Sequence, residues 1–192
     1  GRFSQRLRTG DDPAEALFYL GALAERHGNE QAALDMYSRL VQAGAGLMAR
    51  RRAAAVLMKQ GQRAEAFAML DAEEAGKPGV AVDIVLAKAA LLLENGAPAD
   101  ALPLLDAALE RFPAHPGLEY QRALTLESAG RVQDSIAAFD ALYRKRPEDP
   151  GLMNALGYTL ADHSRNLSRA SRLIDSALER TPDNPAILDS LG

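Results

Sequence analysis

The chain has 192 residues, 47% of them hydrophobic and 25% charged, with a net charge of −4. That length carries a sizeable core, as one long domain or two small ones, and the acidic balance gives no reason to expect nucleic acid or an acidic membrane surface as a partner. The absence of cysteine excludes disulfides and thiolate zinc sites, and no apolar run approaches the roughly 20 residues that span a bilayer.

Ala, Leu, Glu and Arg are frequent while Val, Ile and aromatics are few, so the bias is helical. A cysteine-free chain fits an oxidising or a reducing compartment, so both periplasmic and cytoplasmic placement stay open. The chain starts at Gly1 without an initiator Met and reads as a fragment or processed piece, so a missing targeting signal carries no weight.

Residues 1–13 form a lead-in. Gly1 to Thr9 holds Arg2, Arg6, Arg8 and the terminal amine, and reads either as a basic patch or as the tail of a preceding helix or a frayed terminus. Asp12-Pro13 is a helix start, with Asp12 as N-cap, Pro13 at the first helical position and Glu15 three residues after the cap. A first repeat spans 14–46: Leu17-x-x-Leu20-Gly21-x-x-Ala24 on helix A, a break at Gly28-Asn29, Ala33-x-x-x-Tyr37 on helix B, and an end at Gly44 and Gly46. A second spans 47–80, with Ala53, Ala54 and Leu57, a turn at Gly61, then Ala66-x-x-x-Leu70 and Pro78.

The third, 82–115, has Val85, Ala89 and Leu92, a turn at Gly96, then Ala101-x-x-x-Leu105 and Pro113. Pro103 lies inside its helix B, where proline costs about 3 kcal/mol beyond the first turn, so that helix is expected to start late or to bend. The fourth, 116–149, has Ala123, Leu126, Gly130, Ser135-x-x-x-Phe139 and Pro147. The fifth, 150–184, reads Met153-x-x-Leu156-Gly157-x-x-Leu160, then Ala170-x-x-x-Ile174 and Pro182, with an extra turn residue around Ser164–Asn166. Residues 185–192 open a sixth with Leu188-x-x-Leu191-Gly192. Asp149-Pro150 and Asn184-Pro185 repeat the cap-then-proline device.

The small residues Gly21, Ala54, Ala89, Ala123 and Gly157 recur at intervals of 33, 35, 34 and 34, and the prolines 78, 113, 147 and 182 at 35, 34 and 35. Each seat has a mechanical role. A small residue on helix A lets helix B approach, a small residue on helix B reciprocates, and proline ends the helix. On these residues the chain resembles the tetratricopeptide repeat (TPR) family over residues 14–192. The resemblance implies an all-α fold, a right-handed superhelical solenoid of stacked antiparallel helix pairs with helices A lining a concave face. Arg50 and Glu119 replace a bulky residue of the pattern, and Lys88 and Arg122 replace Leu; those helices are expected to pack less tightly or to use the aliphatic stems as filler.

Catalytic and cofactor signals are weak. Gly44-x-Gly46-x-x-Ala49 imitates a dinucleotide fingerprint but follows a helix instead of a strand. Asp162-His163-Ser164 are consecutive and cannot face one another as a triad on a helix. His27, His115 and His163 lack ligand spacing. No cofactor, metal or catalytic activity is expected.

The family register places the second, fifth, ninth, twelfth and thirteenth residues of each repeat on the concave face. These are Glu15, Phe18, Ala22, Glu25 and Arg26; Met48, Arg51, Ala55, Met58 and Lys59; Asp83, Leu86, Ala90, Leu93 and Glu94; Gly117, Tyr120, Leu124, Glu127 and Ser128; and Gly151, Asn154, Tyr158, Ala161 and Asp162. From these the candidate partner groove is Phe18, Met48, Arg51, Met58, Leu86, Leu93, Tyr120, Leu124, Asn154 and Tyr158. Two readings stand: a groove with aromatic and Met anchors for a partner's helix or extended segment, or residues buried against one another by tight curvature. Chaperone-binding members hold a terminal carboxylate with Lys and Asn; the matching positions here are Phe18, Arg51, Ala22 and Ala55, so that use is disfavoured.

The runs Ala16–Gly21, Ala155–Asp162 and Pro185–Gly192 resemble large proteobacterial periplasmic TPR lipoproteins, among them the adaptor of a carboxy-terminal processing protease. That resemblance implies a scaffold at the outer membrane, lipid-anchored outside this fragment, with the protease and cell-wall hydrolases as partners. The expected function is a non-catalytic protein-binding adaptor. The alternative is a self-association module pairing chains through Ile187, Leu188 and Leu191.

Overall fold

The computed structural model describes residues 13–74 and 80–182, and among them every regular element is an α-helix. The helices are α1 (Pro13–Arg26), α2 (Glu30–Gln42), α3 (Gly46–Lys59), α4 (Arg63–Glu74), α5 (Ala81–Glu94), α6 (Pro98–Arg111), α7 (Pro116–Ser128), α8 (Val132–Lys145), α9 (Pro150–Asp162) and α10 (Leu167–Arg180). None of them is long and apolar enough to cross a membrane. The lead-in with Asp12, the closing Pro78, the cap Asn184 and the sixth-repeat residues Ile187, Leu188 and Leu191 lie outside the described residues.

The chain forms two compact units, residues 1–95 and 96–192. Within the first, α1 packs on α2, α2 on α3, α3 on α4 and α4 on α5, and α3 also meets α5. Ala33, Tyr37, Leu40, Ala49, Ala53 and Val56 form a core there, flanked by Leu17, Phe18 and Met69. Within the second, α6 to α10 pack in the same serial way. Its core holds Ala123, Phe139, Leu142, Leu152, Met153, Leu156, Leu160, Ala170, Leu173 and Ala177.

The small seats are where helices touch. Ala54, Ala89 and Ala123 are fully buried, as are Ala33, Ala66 and Ala101 on helices B. Ser135 takes the helix-B seat in α8, and its hydroxyl donates to the Ala123 carbonyl at 2.8 Å, so the polar atom costs nothing there. Helices α6, α8 and α10 each stop two residues before a proline, at Arg111, Lys145 and Arg180. Asp149 caps α9 by accepting from the Gly151 and Leu152 amides at 2.9 and 3.2 Å, with Pro150 next to it.

The turn of α7–α8 rests on Gly130 at φ +75°, where a side chain would be strained. In α9–α10 Ser164 takes the positive-φ seat at +51°, and Asn166, itself at +47°, caps α10 by accepting from the Arg169 amide. The expectation that Pro103 delays its helix is corrected: α6 starts at Pro98 and runs through Pro103 to Arg111. Pro103 and Ala99, whose carbonyl loses its helical donor, are both exposed, so water can satisfy that oxygen.

Candidate functional site

In the first unit, α3 and α5 face each other across an open cleft of about 310 Å³. Leu47, Met48, Ala55, Ala87, Ala90 and Leu91 supply its apolar lining, with Arg51 and Arg52 from α3 and Glu94 from α5 as charged groups. Met48 is 52% exposed, a high value for a large apolar side chain. Of the groove candidates, Met48 and Arg51 line the cleft. Met58 is buried and offers a partner little surface. Leu86 and Leu93 are half-buried and lie outside the lining. Phe18 packs on the core, its ring 6.3 Å from Tyr37 and 6.0 Å from Tyr19.

One wall of the cleft is held by a polar network that the sequence does not announce. The Tyr37 hydroxyl donates to Glu25 at 2.7 Å, Arg52 donates to Tyr37 at 3.2 and 3.3 Å, and Arg52 also pairs with Glu25. Burial and the neighbouring Glu25 carboxylate push the Tyr37 phenol up from its ordinary value. The network ties α1, α2 and α3 together, and its partners lie up to 27 residues apart, too far for any local motif to reveal.

In the second unit, Tyr120 and Leu124 pack against the core, and Tyr120 meets Phe139 edge to face at 5.5 Å. Burial, then the Asp149 and Glu127 carboxylates, raise the Tyr120 phenol. Tyr158 is 48% exposed. Asn154 is half-buried, and its Oδ1 is buried with no hydrogen-bond partner among the described residues. Tyr120 and Leu124 thus serve the core, while Tyr158 faces outward.

The same unit assembles a cluster whose members the sequence scatters. His163 Nε2 lies 3.1 Å from Glu127 Oε1 on α7 and 3.7 Å from Asp162 Oδ2. The Thr159 hydroxyl is 3.3 Å from the other Glu127 oxygen and bonds the Ala155 carbonyl at 2.9 Å. Ser164, the third residue of the Asp162-His163-Ser164 run, turns the chain after α9 at a φ of +51°. The histidines offered no ligand spacing because the complementary carboxylate arrives from 36 residues away.

The four departures from the pattern are met by ion pairs. Arg50 reaches Glu73 at 3.0 Å and the Met69 carbonyl at 3.2 Å. Lys145 reaches Glu119 at 2.7 Å. Lys88 pairs with Asp71 at 2.5 Å and stands 5.1 Å from the Phe67 ring centroid. Arg122 pairs with Asp106 at 2.6 Å. The last two pairs occupy equivalent seats, since 88 and 122 differ by 34 and 71 and 106 by 35.

Residues 2–47, 51–116, 86–150 and 120–185 match the sequence profile of the tetratricopeptide repeat family. The chain is 33% identical over 177 residues to the TPR repeat-containing protein PA4667 of Pseudomonas aeruginosa, covering 92% of this chain and 30% of that one, so it spans under a third of that relative's length. Among solved structures, a tetratricopeptide repeat protein from Parabacteroides merdae superposes with a TM-score of 0.64 at 16% identity over 98% of this chain and 74% of that one. TTC0263 from Thermus thermophilus gives 0.60 at 20% identity over 93% and 98%. YrrB, described as a TPR protein with an unusual peptide-binding site, gives 0.53 at 19% identity over 100% and 98%. At these identities the structures speak to the fold alone. The profile covers nearly the whole chain, and the chain belongs to the tetratricopeptide repeat family.

Proposed function

We propose that the chain is a non-catalytic adaptor segment that receives a partner protein's peptide in the cleft between α3 and α5. Proteins of this family act as protein-binding scaffolds. The observation that carries the reading is Met48, half exposed beside an apolar floor, with Arg51, Arg52 and Glu94 at its margins. A flexible thioether adapts to varied side chains, and flanking charges of both signs orient the occupant. Likeness to YrrB, whose description names a peptide-binding site, adds support by analogy.

The narrower reading is that the parent protein brings cell-wall hydrolases to a periplasmic carboxy-terminal processing protease at the outer membrane. Its support is the resemblance of Ala155–Asp162 and Ala16–Gly21 to periplasmic TPR lipoproteins. The test is a degradation assay with purified protease, hydrolase and full-length protein. Hydrolysis should accelerate with the protein present and return to the unassisted rate with Met48→Asp or Arg51→Glu, while circular dichroism stays helical. A rate that ignores the protein removes the protease reading; a rate stimulated equally by both variants removes the cleft.

A further inference from the structure

We infer that Glu127, Asp162 and His163 form a binding site for a divalent transition-metal ion of the zinc class. One donor atom from each lies within 4.8 Å of the other two. Metal–ligand bonds of about 2.1 Å at tetrahedral angles place neighbouring donors about 3.4 Å apart. The two separations from His163 Nε2, 3.1 Å and 3.7 Å, bracket that value. Small side-chain adjustments therefore suffice to seat an ion among the three.

Charge and setting agree. Two carboxylates and a neutral imidazole carry two negative charges, which a divalent cation neutralises. Asp162 ends α9, His163 is its C-cap, and Glu127 is the penultimate residue of α7. The cluster thus sits at the negative poles of two helices, where a cation is favoured. Thr159 lies close to Oε2 of Glu127 and leaves Oε1 turned to His163, the orienting role that outer partners play at metal sites. A nitrogen and two oxygens without sulfur suit zinc, cobalt or manganese over copper(I). Three protein ligands leave a position for water, and Asp162 is exposed enough to admit it.

The ion would replace the proton that otherwise bridges His163 and Glu127, and would clamp α7 to α9. Titration calorimetry of chelator-stripped protein with zinc chloride reads this out, with cobalt(II) absorption as a second probe. Expected are one equivalent bound, a raised melting temperature, and visible cobalt bands of a low-coordinate N/O site. His163→Asn and Glu127→Gln should each weaken zinc by more than about tenfold and abolish the bands, while His27→Asn leaves both intact and helicity is unchanged throughout. Absence of stoichiometric zinc binding by the unmodified chain, or binding that His163→Asn leaves as tight, overturns the site.

Discussion

At Gly157 the packing of a whole hairpin passes through one absent methyl. A Cβ there would stand 2.8 Å from Ile174 Cγ1, 3.1 Å from the Ala170 carbonyl and 3.3 Å from Leu173 Cβ. Ile174 can rotate, but the carbonyl cannot leave without moving α10. Gly157→Ala should therefore destabilise the second unit by up to about 2 kcal/mol: overpacking costs about 1–3 kcal/mol, offset in part by the better helix propensity of alanine, about 1 kcal/mol. Urea denaturation followed by circular dichroism checks it; an unchanged or raised midpoint would refute the contact. Gly21 poses the same problem against the Tyr37 ring at 2.6 Å, and there the ring is tethered by Glu25 and Arg52. Tyr120 links stability to alkaline pH. Its folded phenol titrates above the ordinary value of 10.0 because burial, then Asp149 and Glu127, disfavour the phenolate. The folded state thus binds this proton more tightly than the unfolded one, so the contribution is complete below pH 10 and is lost as pH rises through the raised value. Thermal melts across the alkaline range should show Tyr120→Phe losing less stability than the unmodified chain, and ultraviolet titration should show one fewer late-ionising tyrosine.

Between helices, unequal burial of the ion pairs decides what each contributes. Arg122 and Asp106 are both substantially exposed, at 33% and 52%, so solvent screens them and Arg122→Leu should change stability by less than about 1 kcal/mol. Arg50 is 20% exposed and Glu73 only 7%. Arg50→Leu strips a cation from a carboxylate that water barely reaches, and should cost about 1–3 kcal/mol. Parallel denaturation curves for the two variants compare them directly, and equal losses would mean that burial is not what separates the pairs. These pairs also mark where the sequence stops being legible. Gly21, Gly157 and Ala170 can be read as close contacts because steric need restricts the seat to a small residue and the seat recurs each repeat. Asp71 and Asp106 recur as regularly, yet an Asp on an exposed helix face has many uses, so spacing alone does not tie them to Lys88 and Arg122. The Glu127–His163 contact and the Glu25–Tyr37–Arg52 network join different repeats through unlike residues and leave no periodic trace. Pro103 misleads because its cost falls on the carbonyl of Ala99, and Ala99 is exposed, so the helix itself does not bear it. Met48 and Tyr158 enter the groove set by register alone; their exposure follows from what packs beside them, which register does not contain.

Over the whole chain, order along the sequence and order in space coincide within each unit. Among α1 to α5, and again among α6 to α10, consecutive helices pack on one another. The Glu127–His163 pair, which crosses from one repeat to the next, spans only 36 residues. Each contact therefore closes a short loop, and loop-closure entropy grows only with the logarithm of loop length. Such a chain can nucleate at any hairpin and extend from it, with stability set by neighbour on neighbour. Its refolding should accordingly resemble that of low-contact-order helical proteins, with the major phase complete within about milliseconds of denaturant dilution. The chain has no tryptophan, so stopped-flow circular dichroism of the helical signal is the suitable probe, with tyrosine fluorescence reporting on the Tyr37 and Tyr120 packing. Gly157→Ala should accelerate unfolding more than it slows folding if α9 and α10 dock after the first hairpins form. A major refolding phase of seconds would mean that distant parts of the chain must meet first, contrary to the serial packing within each unit.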